Sequence, residues 1–312
     1  MKKCLVTGCS GFIGSHLADF LIDRGLAVFG TTFGDSSAVN HIRERSALVN
    51  CDFRDKGNVA EAVKLANPDY VFHLAAQSLV VPSWEDPENT FRANIFGTLY
   101  LLDAIRNQGG NPVIVIACSS AEYGLATEDE IPIKESKEFR PVSPYGVSKI
   151  ATDYLAYLYW KVHKMHIIRI RPFNVTGPRK LFDATSDFAR GIVEIERGHK
   201  HSLRVGNLDA VRDILDIRDA VRAIWLLAER GGPGEVYNIC SGRGYRIAEI
   251  LEQLISMAKV PIEVDRDERK MRPLDEPVYI GDNSKLRSLG WKPEIPLERT
   301  LRDTLDYWRS RG

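Results

Sequence analysis

The sequence has no excess of charge of either sign. Its 312 residues include 42 Lys and Arg and 42 Asp and Glu, so the formal net charge is zero. A balanced charge gives no electrostatic basis for binding nucleic acid or an anionic membrane surface. No apolar run approaches the roughly 20 residues that a membrane-spanning helix needs. We therefore predict a protein with neither nucleic acid nor a membrane as partner.

Cysteine is scarce, and its spacing forms no known pattern. The odd number and the absence of a C-x-x-C pair favour reduced thiols in a cytoplasm over a disulfide framework. The five cysteines are Cys4, Cys9, Cys51, Cys118 and Cys240. No cluster of ligands indicates a metal site. An apolar run begins at Lys3 and leaves no room for a signal peptide, so we predict a cytoplasmic protein.

Short apolar runs alternate with helical segments over residues 1–171. The runs are "KCLVTG", "AVFGTT", "ALVNCD", "DYVFHLAA", "PVIVIACS" and "HIIRIRP". Apolar strands joined by helical crossovers predict a parallel sheet covered on both faces, which is a doubly wound α/β domain. After Pro172 the pattern loosens. We predict that residues 172–312 mainly form a smaller substrate-binding cap, with residues 208–238 returning to the first domain.

Glycines separate the first predicted strand from the first predicted helix. "VTGCSGFIGSHL" contains Gly8, Gly11 and Gly14. A glycine turn before a helix presents free amides and the positive end of the helix dipole, which suits the pyrophosphate of a dinucleotide. The spacing G-x-x-G-x-x-G differs from G-x-G-x-x-G. We predict cofactor contacts from these glycines and from Phe12 and Ile13.

"SPYGVSK" at residues 143–149 predicts the start of a helix. Ser143 is a suitable N-cap residue and Pro144 suits the first helical position. Tyr145 and Lys149 then lie on one face, because they are four residues apart. A nearby ammonium favours the phenolate, so we predict that Lys149 lowers the pKa of Tyr145 from its usual value of about 10. Tyr145 would then serve as a proton donor or acceptor.

The glycine motif and "SPYGVSK" together resemble the extended short-chain dehydrogenase/reductase family, and the resemblance covers nearly the whole chain. It implies a Rossmann-like fold with a nicotinamide cofactor. "ACSSAEYG" supplies the third catalytic residue as Ser119, counted back from Tyr123 and Gly124. The resemblance implies that Ser119 binds a substrate carbonyl and that Tyr145 supplies a proton. Lys149 would hold Tyr145 and the nicotinamide ribose.

The resemblance implies further contacts with the cofactor and leaves its identity open. Thr32 stands where NAD-selective members carry an acidic residue, and its lack of charge favours NADP(H). However, Phe33 stands where NADP-dependent relatives often have arginine, and Arg43 is the next basic residue, so NAD(H) remains an alternative. The implied cofactor contacts are Thr32, Asp52, Phe53, Leu74, Ala75, Ala76, Gln77, Asn94, Tyr145, Lys149 and Pro172.

The second half resembles the nucleotide-sugar branch of the family, and most of all its members that act on GDP-mannose derivatives. The motifs that carry this likeness are "RPFNVTGPR", "VGNLDAVRDILDIRD", "VYNICSGRG" and "MRPLDEP". Arginine binds phosphate oxygens in a bidentate manner. The resemblance therefore implies that Arg179, Arg212 and Arg272 hold the diphosphate of a GDP-sugar. The implied substrate contacts are Ser78, Trp84, Ser120, Asn174, Arg179, Arg212 and Arg272.

One position bears on the reaction. Family 4,6-dehydratases carry a glutamate base two residues after the catalytic Ser or Thr, where this chain has Ala121 followed by Glu122. We therefore predict NAD(P)H-dependent reduction of GDP-4-dehydro-6-deoxy-D-mannose to a GDP-6-deoxyhexose such as GDP-rhamnose. The alternatives are a GDP-mannose 4,6-dehydratase with Glu122 as a catalytic base, a nucleotide-sugar 4-epimerase that retains NAD(P), and a non-catalytic nucleotide-binding sensor.

Two predicted helices, at about 88–108 and 144–164, are apolar on more than one face. One face must cover the sheet, and the other is available for a second copy of the chain. The residues concerned include Leu99, Leu102, Tyr154, Leu158 and Trp160. We predict a homodimer through a four-helix contact, as family members form. The alternative is that both faces are covered within the monomer.

Overall fold

The computed structural model describes residues 1–270 and 276–311. These residues form two compact units. Unit 1 consists of Met1–Leu125, Glu135–Pro172 and Val221–Ile239. Unit 2 consists of Ala126–Lys134, Phe173–Ala220 and the described residues of Cys240–Gly312.

The strands are short, as expected of buried parallel strands. In chain order they are β1 Lys3–Thr7, β2 Ala27–Thr32, β3 Ala47–Asn50, β4 Tyr70–His73, β5 Val113–Ala117, β6 Ile167–Pro172, β7 Asn174–Thr176, β8 Ser202–Val205, β9 Val211–Asp216, β10 Val236–Ile239, β11 Gly244–Arg246, β12 Glu263–Arg266 and β13 Val278–Tyr279. The six apolar runs predicted as strands correspond to β1 to β6, so those predictions are confirmed.

The helices alternate with the strands in unit 1. In chain order they are α1 Phe12–Asp23, α2 Lys56–Ala66, α3 Val80–Glu85, α4 Pro87–Phe91, α5 Gly97–Gln108, α6 Pro144–His163, α7 Ala184–Glu196, α8 Ile217–Arg230, α9 Ile247–Ser256, α10 Ser284–Arg287 and α11 Leu297–Ser310. A π-helical turn at Arg92–Phe96 joins α4 to α5. Within the two described ranges, no helix has the length and apolar character to cross a membrane.

Unit 1 contains a seven-stranded sheet in the order β10-β6-β5-β4-β1-β2-β3. All neighbouring strands are parallel, which confirms the predicted Rossmann-like fold. The strand order changes direction between β1 and β4. Parallel α/β sheets bind ligands beyond the carboxyl ends of the strands at such a switch point. The residues that follow β1 and β4 are therefore placed to bind the cofactor.

Unit 2 contains smaller sheets and its own core. β9 lies between β11 and β13 and also pairs with β7, while β12 pairs with β8. Helices α7, α9 and α11 pack around apolar side chains that include Ile192, Leu251 and Leu301.

The boundaries of the units differ from the predicted ones in two places. The segment of unit 1 that follows β9 begins at Val221, whereas the sequence placed the return at 208. The difference arises because β9 pairs with strands of unit 2. Residues 126–134 also belong to unit 2, where the Ile133 amide donates to the Ile280 carbonyl at 2.8 Å.

Candidate active site

The turn between β1 and α1 requires glycine at two positions. Gly8 has φ +65°, and a Cβ there would lie 2.9 Å from the Cα of Ala75. A Cβ on Gly14 would lie 2.2 Å from the Gly8 carbonyl oxygen. Glycine therefore lets the first turn of α1 approach the end of β1 more closely than any side chain allows.

The amino terminus of α1 fits a cofactor pyrophosphate. Gly11 is the N-cap residue and brings no side chain to cap the helix. The first amides of a helix have no acceptor within that helix, so those of Ile13 and Gly14 can donate to an anion. The residues present thus suit the dinucleotide predicted from the sequence.

Thr7 joins the ends of the two central strands. Its hydroxyl accepts hydrogen bonds from the amides of Leu74 and Ala75, both at 3.1 Å. It also lies 2.8 Å from Nδ1 of His73, whose Nε2 lies 3.0 Å from the Thr98 hydroxyl. Burial lowers the pKa of His73 to about 3, so the ring is neutral and structural. The sequence analysis missed Thr7, although a polar residue ending an apolar strand is a usable signal.

Asn94 holds the loop that follows β4. Its side-chain oxygen accepts from the Gln77 amide at 2.8 Å, and its amide nitrogen donates to the Gln77 carbonyl at 3.0 Å. The same nitrogen donates to the Ser148 hydroxyl of α6 at 2.9 Å. Asn94 lies in the π-helical turn, a feature found frequently at functional sites. It therefore fixes Gln77 in the loop after β4, which the sequence predicts to contact the cofactor.

Arg54 lies in the loop after β3, next to the residue that follows β2, and the sequence analysis missed it. Arg54 pairs with Asp52 at 2.7 Å, and this hydrogen bond lowers the pKa of the Asp52 carboxyl. The Arg54 guanidinium lies 5.3 Å from the centre of the Phe33 ring, next to Thr32. Phe53 is buried, and its ring lies 5.4 Å from that of His73.

Ser119, Tyr145 and Lys149 come together beyond the carboxyl end of β5. The predicted helix start is confirmed, because the Ser143 hydroxyl accepts from the Gly146 amide at 3.0 Å. The Ser119 side chain lies close enough to the Tyr145 hydroxyl to oppose the rise in the pKa of Tyr145. The Lys149 ammonium donates to the Ala117 carbonyl at 2.7 Å. This arrangement can bind a carbonyl oxygen and give it a proton.

The predicted direction of the Tyr145 pKa shift is wrong. Burial raises the pKa of Tyr145 to about 12, and the nearby Ser119 side chain opposes that shift only in part. Burial also lowers the pKa of Lys149. The sequence rule counted a neighbouring charge but not the loss of water from both groups, and this loss is the larger effect. A phenol with a high pKa is held in its protonated form.

Glu122 is fully buried beneath the Ser119 turn. Its Oε1 accepts a hydrogen bond from the Ser119 amide at 2.8 Å, and its Oε2 lies 3.0 Å from Nε of Arg171. Burial, reinforced by the nearby Asp153 carboxylate, raises the pKa of Glu122 to about 8. The one candidate for a dehydratase base is thus enclosed by protein groups.

We expect this carboxyl to make stability depend on pH. Because the pKa of Glu122 is raised on folding, its contribution is complete below the ordinary value of 4.5 and is lost as the pH rises through about 8. Asp153, Arg171, Lys149 and Tyr145 face it. The free energy of unfolding of the wild type minus that of Glu122→Gln should fall from about pH 5 to about pH 8, by at most about 1.4 kcal/mol per pH unit. Urea denaturation at several pH values measures this difference, and a flat or rising difference would contradict the expectation.

Three predicted substrate contacts lie in unit 1. Ser78 and Trp84 are exposed, and the Trp84 side chain retains 63% of its accessible surface. Ser120 is buried in the turn after Ser119. The hydroxyl of the buried Ser83 accepts from the Tyr145 amide at 3.2 Å, so α3 is fixed to the start of α6. Trp84 therefore lies on a helix that is anchored at Tyr145.

The remaining predicted substrate contacts belong to unit 2. Asn174 donates to the Asp213 carbonyl at 3.1 Å, and Arg212 donates to the Glu276 carbonyl at 2.7 Å. Arg179 has φ +70°, an uncommon conformation for a residue with a side chain. Arg272 lies outside the described residues. Each of the two units thus carries part of the predicted substrate contacts.

Asp213 is a buried residue in unit 2 that the sequence analysis missed. Its carboxylate accepts from the Ser241 amide and hydroxyl at 2.7 and 2.8 Å and from the Gly242 amide at 2.9 Å. Burial raises its pKa to about 6. It joins the loop after β10 to β9, directly beside Arg212.

Comparison with known proteins decides the family. The sequence profile described as GDP-mannose 4,6 dehydratase matches residues 5–304. This chain belongs to that family. It is 34% identical to the GDP-6-deoxy-D-mannose reductase of Pseudomonas aeruginosa, with 99% of this chain and 98% of that protein covered. It is 32% identical to a GDP-mannose 4,6-dehydratase of Yersinia enterocolitica, with 96% and 91% covered.

Solved structures agree with this membership of the GDP-mannose 4,6-dehydratase family and with the predicted resemblance to extended short-chain dehydrogenases. RMD from Pseudomonas aeruginosa, complexed with NADPH, superposes with a TM-score of 0.87 at 32% identity, and the match covers 100% of both chains. The UDP-glucose 4-epimerase of Thermus thermophilus in complex with NAD gives a TM-score of 0.89 at 30% identity over 99% of both chains. One of these structures is thus a complex with NADPH and the other a complex with NAD.

Proposed function

We propose that this protein is an NAD(P)H-dependent reductase of the 4-keto group of GDP-4-dehydro-6-deoxy-D-mannose, forming a GDP-6-deoxyhexose such as GDP-rhamnose. The observation that carries the proposal is the position of Glu122. Its carboxyl group accepts a hydrogen bond from the Ser119 amide and lies beside the Arg171 guanidinium, and the position expected for a dehydratase base is Ala121. Ser119, Tyr145 and Lys149 remain, and carbonyl reduction needs no further acid or base.

The three residues have distinct roles in this proposal. The bound nicotinamide supplies the hydride that reaches C4 of the sugar. Charge then develops on the C4 oxygen, where the Ser119 hydroxyl donates a hydrogen bond and Tyr145 delivers its proton. Lys149, fixed by the Ala117 carbonyl, stabilises the phenolate that Tyr145 leaves behind.

We assign NADP(H) as the favoured cofactor and NAD(H) as the alternative. Thr32 carries no negative charge that would repel a 2′-phosphate, and the Arg54 guanidinium lies beside the following residue, Phe33. The similar RMD structure holds NADPH, which supports the same choice.

A GDP-sugar is the proposed substrate. Support comes from the reductase relative of Pseudomonas aeruginosa, whose name specifies a GDP-6-deoxy-D-mannose product. Arg179, Arg212 and Arg272 would bind the diphosphate, and Asn174 would lie beside it. Trp84, Ser78 and Ser120 would line the sugar side. We also propose a cytoplasmic location, since the five cysteines are free thiols, as is typical of a reducing compartment.

The test follows products by mass. The purified protein is mixed with GDP-mannose alone, and separately with enzymatically generated GDP-4-keto-6-deoxy-mannose plus NADPH or NADH. We expect reduction of the keto sugar and no change of GDP-mannose. Loss of water from GDP-mannose would instead identify a dehydratase, and exchange of configuration at C4 without net reduction would identify an epimerase. Binding without any turnover would identify a nucleotide sensor.

A homodimer through α5 and α6 completes the proposal. Apolar side chains on α6 and the adjoining π-helical turn retain between 45% and 60% of their accessible surface: Phe96, Val147, Tyr154, Leu158 and Val162. Such a patch on a single chain marks an interaction surface, and a second copy offers the same patch. Of the other apolar residues considered, Leu102 is fully buried, and Leu99 and Trp160 pack against the core.

Charges introduced into this patch should separate the dimer. Leu158→Glu combined with Val162→Glu would place four carboxylates in the contact, two from each copy, so light scattering at micromolar concentration should give the monomer mass. Val264→Glu is a matched control, because Val264 is an exposed apolar residue as well, with 40% of its accessible surface retained, but lies in unit 2. A wild type that is already monomeric would contradict the proposal.

A further inference from the structure

We propose that Glu122, Arg171 and Asp153 form a buried bridge that positions Ser119 relative to Tyr145. The inference rests on the proposed reductase function, because it assigns Glu122 a positioning role in carbonyl reduction. The resemblance to the family implies no role for Arg171 or Asp153. All three residues belong to unit 1.

The bridge is useful because the catalytic residues lie on separate elements. Ser119 follows β5, whereas Tyr145 and Lys149 lie on α6. The turn after Ser119 touches the start of α6, since a Cβ on Gly146 would lie 2.8 Å from the Ala121 carbonyl oxygen. If both hydroxyls are to act on one carbonyl oxygen, these elements must keep their spacing, and a displacement of about 1 Å can cost a hundredfold in rate.

Glu122 fixes the Ser119 end of the bridge. The Glu122 carboxylate accepts from the Ser119 amide at 2.8 Å, while the Ser119 hydroxyl accepts from the Ala121 amide at 3.1 Å. The two bonds form a capping box around the short helical turn Ser120–Glu122. Removal of the carboxylate would leave the Ser119 amide without this acceptor and release the turn.

Arg171 carries the bridge from the turn to α6. Its Nε lies 3.0 Å from Oε2 of Glu122 and 3.1 Å from Oδ2 of Asp153, and its Nη2 lies 3.0 Å from the same Asp153 oxygen. Asp153 is four residues after Lys149 and thus one turn along the same helix. Its other carboxylate oxygen pairs with Arg169.

The guanidinium of Arg171 is held firmly on its remaining side. Its Nη1 donates to the Tyr123 hydroxyl at 2.9 Å and to the Glu135 carbonyl at 3.0 Å. The side chains of Glu122, Asp153 and Arg171 retain 0%, 2% and 4% of their accessible surface. The bridge therefore contains fixed partners with little freedom to rearrange.

A gain in folding stability alone does not explain why these three ionisable side chains are buried together. Buried ion pairs are often no more stabilising than apolar side chains of the same volume, because the ions lose their hydration. Cys118, Glu122 and Asp153 have ligand atoms within 4.8 Å of one another, yet Arg171 already supplies the cation among them. The cluster lies directly beneath Ser119, and this position points to an effect on the geometry of the site.

A double-mutant cycle tests the bridge. Glu122→Ala is measured alone and with Ser119→Ala, in single-turnover reduction of the 4-keto sugar by NADPH. We expect Glu122→Ala to lower the rate about a hundredfold when Ser119 is present and less than threefold when it is absent. The KM for NADPH should stay within twofold. Glu122→Gln should recover most of the rate, because its side-chain oxygen still accepts from the Ser119 amide.

Glu196→Ala serves as the matched control. Glu196 is also a buried carboxylate, 8% exposed, and pairs with Arg309 in unit 2 at 2.6 Å. Its loss should lower the melting temperature and leave the turnover rate unchanged. A rate for Glu122→Gln as low as that for Glu122→Ala would overturn the proposal, since the carboxyl would then take part in the chemistry. An equal effect of Glu122→Ala with and without Ser119 would overturn it too.

Amide hydrogen exchange separates this inference from the proposed function. NMR of the protein without substrate should show the Ser119 amide protected in the wild type and in Glu122→Gln, and exchanging at least tenfold faster in Glu122→Ala. Unchanged protection in Glu122→Ala would overturn the bridge whatever reaction the protein catalyses. A wild type inactive on the keto sugar would refute the proposed function and leave this measurement valid. If Glu122→Ala does not fold, Arg171→Lys replaces it in both experiments, and an unchanged rate together with unchanged protection overturns the proposal.

Discussion

Replacing Tyr145 with phenylalanine is expected to lower kcat for reduction of the keto sugar about a thousandfold. The substitution removes the proton that neutralises the C4 oxygen, and general acid catalysis contributes about 10²-fold to 10⁴-fold. The high pKa of Tyr145, about 12, means that the wild-type phenol carries this proton at neutral pH. Single-turnover oxidation of NADPH, followed by absorbance, measures the loss.

Binding of the cofactor should survive the Tyr145→Phe substitution, so the dissociation constant for NADPH should change less than threefold. Tyr70→Phe is the matched control, because Tyr70 begins β4 and lies at the opposite end of that strand from the site. Its rate should equal that of the wild type. Retention of more than a tenth of the wild-type kcat by Tyr145→Phe would mean that another group supplies the proton.

Replacing Gly14 with alanine is expected to weaken NADPH binding about a hundredfold. The new Cβ would lie 2.2 Å from the Gly8 carbonyl oxygen and 3.0 Å from the Cα of Cys9, so the helix must move away from the turn. The amides of Ile13 and Gly14 then leave the positions in which they would meet the pyrophosphate. Isothermal titration with NADPH measures the change in affinity.

Gly110→Ala is the matched control for Gly14→Ala. A Cβ on Gly110 would have its nearest contact at 3.8 Å, with Cδ of Pro112. It should leave the NADPH affinity unchanged. An affinity for Gly14→Ala within threefold of the wild type, in a protein of unchanged melting temperature, would contradict the assignment of this turn to the cofactor.

The parts of this fold that follow local rules could be predicted from the sequence. The runs that became β1 to β6 are apolar because both faces of a parallel sheet are covered, so they stand out against the polar loops. The start of α6 was equally visible, since Ser143 and Pro144 have strong positional preferences in the first turn. The proximity of Tyr145 and Lys149 follows from helical geometry.

The missed features depend on contacts between distant segments. The side-chain direction of Glu122 is set by Arg171, which lies 49 positions further along the chain. The contacts of Arg54 with Phe33 and of Asp213 with Ser241 also join residues far apart in the chain, and no local sequence pattern reveals them. The pKa of Tyr145 depends on how much water the folded chain removes, and the spacing of residues does not give that quantity.

The pairing of Arg171 with two carboxylates constrains how this sequence can change during evolution. Losing one partner of a buried ion pair costs about 3–5 kcal/mol, a large part of the 5–15 kcal/mol that stabilises an average domain. We therefore expect positions 122, 153 and 171 to be inherited as a unit. A lineage that replaces Glu122 with an apolar residue must compensate at Arg171 almost at once, so descendants of this protein should show these positions changing together or remaining as they are.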